Sequence, residues 1–415
     1  MFNNIRNKYN GDKIILIAMS IWILGFFLMP FSKQHYQIFI ITIVISAFWL
    51  IFTLKFNYKS LLSSRIIQVS FAYAFLFLIS IYWSNLDTFS DKFKEVKTFL
   101  YLIFFSLVFL YSIDGKTERL INLIHYLIVA AVFSLFINFY FFYGINNEPI
   151  SARFAGLGRL WNPLWAAAMY GGAALITLSI LFDKYRQLKY SIKYALILSY
   201  FLLVIAVFLT QSRAPIGAVV LMSLIVFFFS KIAIKTKFIL ATIVSVLGVL
   251  LLTYFLPAIT ELTLERGQSY RLDLWLGFIE RAKEHLIFGH GGGSNVPIHA
   301  PGEFVHDWRH YHSTYIGSLV ELGLIGLILH LAIIVTVLRT AWKLRKNFYV
   351  KTSAWLFIYT CIIGLTFGHG ILTRMNTQWL LFWMPLLVIA MYEIRNNKMS
   401  VRNDSSEFDS VEDAR

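Results

Sequence analysis

Cysteine is almost missing from this chain. Cys361 stands alone in an apolar run, which excludes an internal disulfide and a cysteine-built metal cluster. Charge is scarce as well. Only 14% of the residues are charged and 58% are hydrophobic, which excludes intrinsic disorder and ordinary solubility in water. Acidic residues are the scarcer sign, 22 against 37 lysines and arginines, for a formal net charge of +15. The basic stretch Met1 to Lys13 leads into an apolar run with no small-residue cleavage site, so a retained first span is expected and not a removed signal. There is no Gly-x-Ser-x-Gly elbow and no Gly-Lys-Ser/Thr phosphate loop. His290 to Ser294, His-Gly-Gly-Gly-Ser, is therefore read as a glycine turn closing a loop helix, not as an oxyanion loop. Internal repeats of the kind many transporters carry are also missing.

What the chain has is apolar runs. They begin near Ile14, Tyr36, Ile66, Thr98, Leu120, Leu164, Tyr194, Ala214, Phe238, Ser313, Ser353 and Gln378, each near the ~20 residues that cross a bilayer. An all-α integral membrane protein of about 12 transmembrane helices is expected. Nine spans would occupy residues 1–256, a large and partly helical periplasmic loop 257–312, three more spans 313–395, and a disordered cytoplasmic tail 396–415. Most lysines and arginines fall in alternate segments, which places both termini in the cytoplasm. The positive charge is thus a topology signal, and nucleic acid is not needed to explain it.

The basic residues on the other side are fewer and need a reason. Arg213, in Thr-Gln-Ser-Arg-Ala-Pro, sits between two apolar runs with almost no loop. It either snorkels to head groups or binds something. Tyr270 to Leu286 reads as an amphipathic helix with Arg271 on the apolar side, near Leu274, Trp275, Phe278, Ile279 and Ala282. A cation there needs a partner, or snorkels from a helix lying on the membrane surface. Arg153 and Arg159, before Asn162-Pro163, form a weaker cluster that is equally readable as a helix start. Arg374 lies on the last outside loop. Finally, His312-Ser313 precedes Gly323 and Gly326 by about three and four turns. On a helix these would share a face, and Glu321 would lie opposite. A glycine packing stripe with an interfacial histidine explains the same pattern.

His312-Ser313, nine residues, then Gly323-Leu-Ile-Gly326 resembles the signature of the O-antigen ligase and polymerase superfamily of bacterial envelope glycosyltransferases. Ser212-Arg213-Ala214 is similar to that superfamily's Ser-Arg-Gly/Ala element. Arg271-Leu-Asp-Leu-Trp275 stands where ligases carry Arg-x-x-x-Leu, with Trp275 replacing the leucine. Arg153 to Pro163 is similar to the Arg-x-x-Gly…Asn-Pro segment of these enzymes. The resemblance implies a GT-C-like fold, no cofactor, no metal, and inversion at the anomeric carbon. His306 and His310, at i,i+4, are therefore expected to belong to the loop and not to a zinc site.

The implied donor is a glycan on undecaprenyl diphosphate, and the implied acceptor is lipid A–core at the periplasmic face of the bacterial inner membrane, among membrane lipids. Arg213 and Arg271 would hold the diphosphate and His312 would activate or orient the acceptor hydroxyl. Arg153, Arg159, Ser313, Trp275 and Arg374 are the further substrate-binding candidates. A single dominant outside loop favours a ligase. A protein O-oligosaccharyltransferase, an O-antigen polymerase and, in another class, a lipid-linked glycan transporter are the alternatives.

Overall fold

A computed structural model describes residues 2–53, 61–114, 116–235, 237, 271–299, 307–308 and 310–412. The span expected from Phe238 lies outside them, as do His306 and Arg309. The described residues are all-α apart from a two-residue antiparallel ladder that pairs Ile298 with Trp308. In order, the helices are α1 (Phe2–Leu28), α2 (Ser32–Phe39), α3 (Ile45–Thr53), α4 (Arg65–Ser80), α5 (Phe89–Ile113), α6 (Thr117–Phe139) and α7 (Pro163–Lys184). They continue with α8 (Tyr190–Leu209), α9 (Arg213–Phe228), α10 (Arg271–Lys283), α11 (Thr314–Lys343), α12 (Phe348–Gly364) and α13 (Met384–Glu412). A π-helical turn joins α2 to α3. Among the described residues, seven segments are long and apolar enough to cross a membrane, and α4, α9 and α12 are shorter apolar helices.

The bundle is arranged around α7. Asn162 caps it through Leu164 N and Pro163 occupies its first turn, where a missing N–H costs nothing. From Ala166 to Leu181 every residue is buried, and the run Ala-Ala-Ala-Met-Tyr-Gly-Gly-Ala-Ala lets neighbours approach closely. The Tyr359 hydroxyl of α12 donates to the Ala167 and Ala168 carbonyls, and Ser179 meets Thr352 at 2.8 Å. These buried hydroxyls thus find partners inside the bundle, as a low-dielectric interior favours.

Two expectations change. The closing helix α13 runs on to Glu412, so residues 396–412 are helical where a disordered tail was expected. Extending an established helix costs far less than starting one. The second change concerns α11. Its cap is Ser313, whose Oγ accepts from Ile316 N, so His312 lies outside the helix. The helix also breaks at Gly323, with φ 67° and ψ −163°. The face shared by His312, Gly323 and Gly326 therefore does not exist, because no continuous helix connects them.

The break has a purpose in packing. Glycine-rich residues 286–291 lie across it like a short strand. His290 N and Gly291 N donate to the Val320 and Glu321 carbonyls at 2.9 and 2.8 Å, and Leu324 N donates to Leu286 O at 2.8 Å. The loop thereby takes up backbone groups that the broken helix leaves unpaired. Contact is too close for side chains. A Cβ at Gly323 would lie 2.3 Å from Ile287 O, and one at Gly289 would lie 2.4 Å from Glu321 O. On its other side the loop is tied to the end of α4 through Gly292 N to Ser80 Oγ and Ser84 to Ser294. The His-Gly-Gly-Gly-Ser run is thus structural, and it anchors the segment that carries α10.

Candidate functional site

Two helix starts and the first described turn of α10 bring the candidate residues together. Arg213 opens α9, Arg271 is the first described residue of α10, and His312 stands two residues before α11. Helix N-termini carry partial positive charge, so an anion placed here meets dipoles as well as side chains.

Arg213 follows Gln211, whose φ of 52° turns the chain sharply out of α8. The turn is held from the side by residues 151–154. Phe154 N donates to Leu209 O, Gln211 Nε2 donates to Ser151 O, and Arg153 donates to Thr210 O and Ser212 Oγ at 3.3 Å each. Arg153 therefore positions the neighbouring arginine through backbone and hydroxyl contacts. Arg213 itself is exposed and makes no hydrogen bond or ion pair with the described residues.

Arg271 is half-buried in the first described turn of α10. Leu274, Phe278 and Ala282 pack this helix on Tyr311, Val296, Ile298 and Val320. Ile279 is 38% exposed and Leu286 43%, so the buried face is narrower than the sequence pattern indicates. Burial and then the nearby Arg213 lower the affinity of the Arg271 guanidinium for its proton. Among the described residues it has no carboxylate partner. Trp275, one turn further, keeps its indole N–H unpartnered, as does Trp308, whose ring lies edge-on to His312 at 6.4 Å.

His312 adopts a left-handed φ of 52°, a conformation that costs a non-glycine residue roughly 1–2 kcal/mol. Strain of this kind concentrates at functional sites. Its backbone N–H donates to His310 Nδ1 at 3.1 Å. The His310 ring is 4.2 Å from that of His312 and 3.7 Å from that of His369. His310 lies in the loop, as expected, and is in addition part of a three-imidazole cluster. His369 sits in the loop between α12 and α13 and was not foreseen. Its only advance sign is the flanking pair in Gly368-His369-Gly370, a loop histidine with glycines on both sides.

All three histidines are held below the usual range. Burial is the first cause in each case. His369 and then His312 and Arg271 add to it for His310, which falls to about 3. His312 adds to it for His369, which falls to about 4. Arg271 adds to it for His312. The three imidazoles are neutral at pH 7. Because His310 Nδ1 accepts a hydrogen bond, its proton is on Nε2. The ring nitrogens of His312 have no partner among the described residues, so that ring is free to take a proton.

The remaining candidates lie apart. Arg159 is buried, 8% exposed, and donates from Nε to His35 Nδ1 at 3.3 Å, while His35 Nε2 meets Trp22 O at 2.9 Å. Burial lowers its pKa to about 10. Arg374 is exposed and reaches Glu95 at 3.3 Å. Ser313 caps α11 and is 2% exposed, which commits its hydroxyl to the helix. Glu321 is 4% exposed behind the cluster, where a Cβ on Gly370 would lie 3.2 Å from its Oε2. Among the described residues, no group of three or more His, Cys, Asp or Glu is arranged to hold a metal ion.

The sequence model of a family described as O-antigen ligase matches residues 198–331, which include Arg213, Arg271, His312, Gly323 and Gly326. The chain is also 25% identical, over 338 residues, to an O-antigen ligase of Pseudomonas aeruginosa, covering 80% of this chain and 78% of the relative. The resemblance read from the His312 and Arg213 motifs is thereby borne out.

Proposed function

We propose that this chain is an O-antigen ligase, which transfers a glycan from undecaprenyl diphosphate to a sugar hydroxyl of lipid A–core. The reading places about twelve spans in a GT-C-like arrangement in the bacterial inner membrane, with both termini cytoplasmic and the site periplasmic. The family match supports a ligase role. The observation that carries the chemistry is Arg271 placed near both His312 and Arg213, with neither a carboxylate beside it nor a partner for the His312 ring among the described residues.

Two guanidiniums side by side repel one another unless an anion sits between them. A diphosphate supplies that anion, and arginine binds its oxygens through a planar fork that stays charged at any working pH. During transfer a ring nitrogen of His312 takes the proton of the acceptor hydroxyl. The hydroxyl oxygen bonds to the anomeric carbon as the bond from that carbon to the phosphate oxygen breaks. The electron pair and new negative charge go to the diphosphate, where the two arginines neutralise it. Displacement in one step inverts the anomeric centre. The leaving group is already activated, so neither nucleotide nor metal enters. Trp275 and Trp308 are half-buried aromatic side chains of the kind that suit a sugar ring.

The test is a deletion strain profiled for lipopolysaccharide and glycoprotein side by side. The expected result is loss of the polymer-bearing lipopolysaccharide ladder, restored by the wild-type chain and not by an inserted His312→Ala variant. Loss of glycosylated protein with an intact ladder overturns the lipid acceptor in favour of protein O-glycosylation. Full activity in His312→Ala removes the proton-transfer role.

A further inference from the structure

The His312 cluster gathers at the starts of α9 and α11 and just beyond the end of α12. The opposite ends of those three helices, with the end of α7, enclose a cavity of about 720 Å³. Five cations line it, Lys184, Lys231, Arg345, Lys346 and Lys351, against one carboxylate, Asp183. Lys351 Nζ lies 2.5 Å from Asp183 Oδ2, which cancels one pair and leaves four positive charges. Alternation of basic segments explains why cations are at this end. It does not explain why they line a concave site whose other wall is apolar, formed by Phe229, Leu338, Trp355 and Ile358.

The cations are not consumed by other pairings among the described residues. Lys184 lies over the Phe348 ring at 5.1 Å and Arg345 over Trp342 at 4.6 Å, aromatic contacts that leave their charge unneutralised. One further atom bears on the ligand. Asp183 Oδ1 is buried and has no hydrogen-bond partner. It is an acceptor inside a cationic cavity, so a ligand carrying phosphate alone would leave it unsatisfied.

We propose that this cavity binds an anionic phospholipid of the phosphatidylglycerol type. The phosphodiester meets Lys184, Lys231 and Lys346, a head-group hydroxyl donates to Asp183 Oδ1, and an acyl chain lies along Leu338, Ile358 and Trp355. The apolar wall favours a lipid over a soluble phosphate. The surplus of four charges favours an anionic lipid over a zwitterionic one. Basic pockets between membrane helices are a recognised place for such head groups. The site is independent of the donor and acceptor, and it joins the far ends of α9, α11 and α12, the helices that frame the His312 cluster.

The experiment is a thermal-unfolding titration of the detergent-purified full chain with phosphatidylglycerol, phosphatidylethanolamine, phosphatidylcholine or inorganic phosphate. Phosphatidylglycerol is expected to raise the midpoint, with phosphatidylcholine and phosphate inert. Each cation near an anionic head group contributes about fivefold in affinity. The triple variant Lys184→Gln, Lys231→Gln, Lys346→Gln therefore raises the half-saturating concentration about a hundredfold. Should it fail to fold, Lys346→Gln alone gives about fivefold. Lys189→Gln with Lys193→Gln and Lys398→Gln removes as much charge outside the cavity and changes it less than about twofold. An equal response to phosphatidylethanolamine or to inorganic phosphate overturns the assignment. So does an equal loss in the control variant, which would mean surface charge only.

Discussion

Replacing Gly323 by alanine isolates the seam on which the site depends. At φ 67° and ψ −163° the backbone is in a region open essentially to glycine alone, and an alanine held there costs about 1–3 kcal/mol. The added Cβ would also lie 2.3 Å from Ile287 O and 2.7 Å from Gly289 N, both backbone atoms that cannot swing aside. Relief requires the 286–291 segment to move outward. That movement loosens the bonds from His290 N to Val320 O, Gly291 N to Glu321 O and Leu324 N to Leu286 O, each worth about 1 kcal/mol net. Strain with partial loss of the seam comes to about 3–5 kcal/mol. At about 2 °C per kcal/mol, the midpoint of detergent-solubilised protein falls on the order of 5–10 °C. Gly217→Ala is the matched control. Nothing lies within 4 Å of its Cβ on α9, so alanine is neutral or stabilising by up to about 1 kcal/mol. A Gly323→Ala protein that melts with the wild type would refute the seam as the device that seats the loop on α11.

Three further outcomes follow from the cluster. Arg271→Gln is expected to lower transfer by about a hundredfold to a thousandfold, as loss of a preorganised charge-stabilising donor does. It also moves the pH profile. His312 is held below its usual 6.5, so wild-type activity falls only as pH drops beneath that value. Without Arg271 the acid limb shifts upward, short of 6.5, because burial is the larger cause and remains. An unmoved limb would mean that His312 does not titrate in the rate. His310→Ala removes the acceptor of the His312 N–H and is expected to cut kcat about fivefold to tenfold with donor KM unchanged, measured by in vitro transfer. Arg159→Met breaks the buried bond to His35 and should cost about 1–3 kcal/mol of stability, with activity per folded molecule within about threefold. A large activity loss at unchanged stability would instead give Arg159 a substrate contact.

Much of this was legible in the chain because membrane helices announce themselves by length and composition. Arg213 could be placed from sequence for the same reason, since almost no residues separate the apolar runs around it, and α8 ends at Leu209 and α9 begins at Arg213. Arg271 could be placed because periodicity puts it beside Leu274 and Phe278, which are buried. The failures share one physical origin. Helical-wheel reasoning assumes an unbroken helix, and the motif's own glycine breaks it. Gly323 was read as a small residue that lets another helix approach. It is instead a left-handed position where a loop strand replaces the helix's own hydrogen bonds. Once α11 is broken and capped at Ser313, the wheel no longer relates His312 to Glu321 or to either glycine.

The same break explains why His369 was invisible. The cluster is assembled from the loop end at His310–His312 and from the loop after α12, some 57 positions further on. No periodicity connects those segments. Only packing does, with the His369 and Tyr311 ring centroids 5.5 Å apart and His369 against His310 at 3.7 Å. A motif of one histidine and two glycines therefore encodes a site in two parts. Under the proposed function the histidine takes the acceptor's proton. Gly323 fixes the seam that seats the loop bearing α10, and with it Arg271, against α11, whereas Gly326 packs against Leu322 of its own helix.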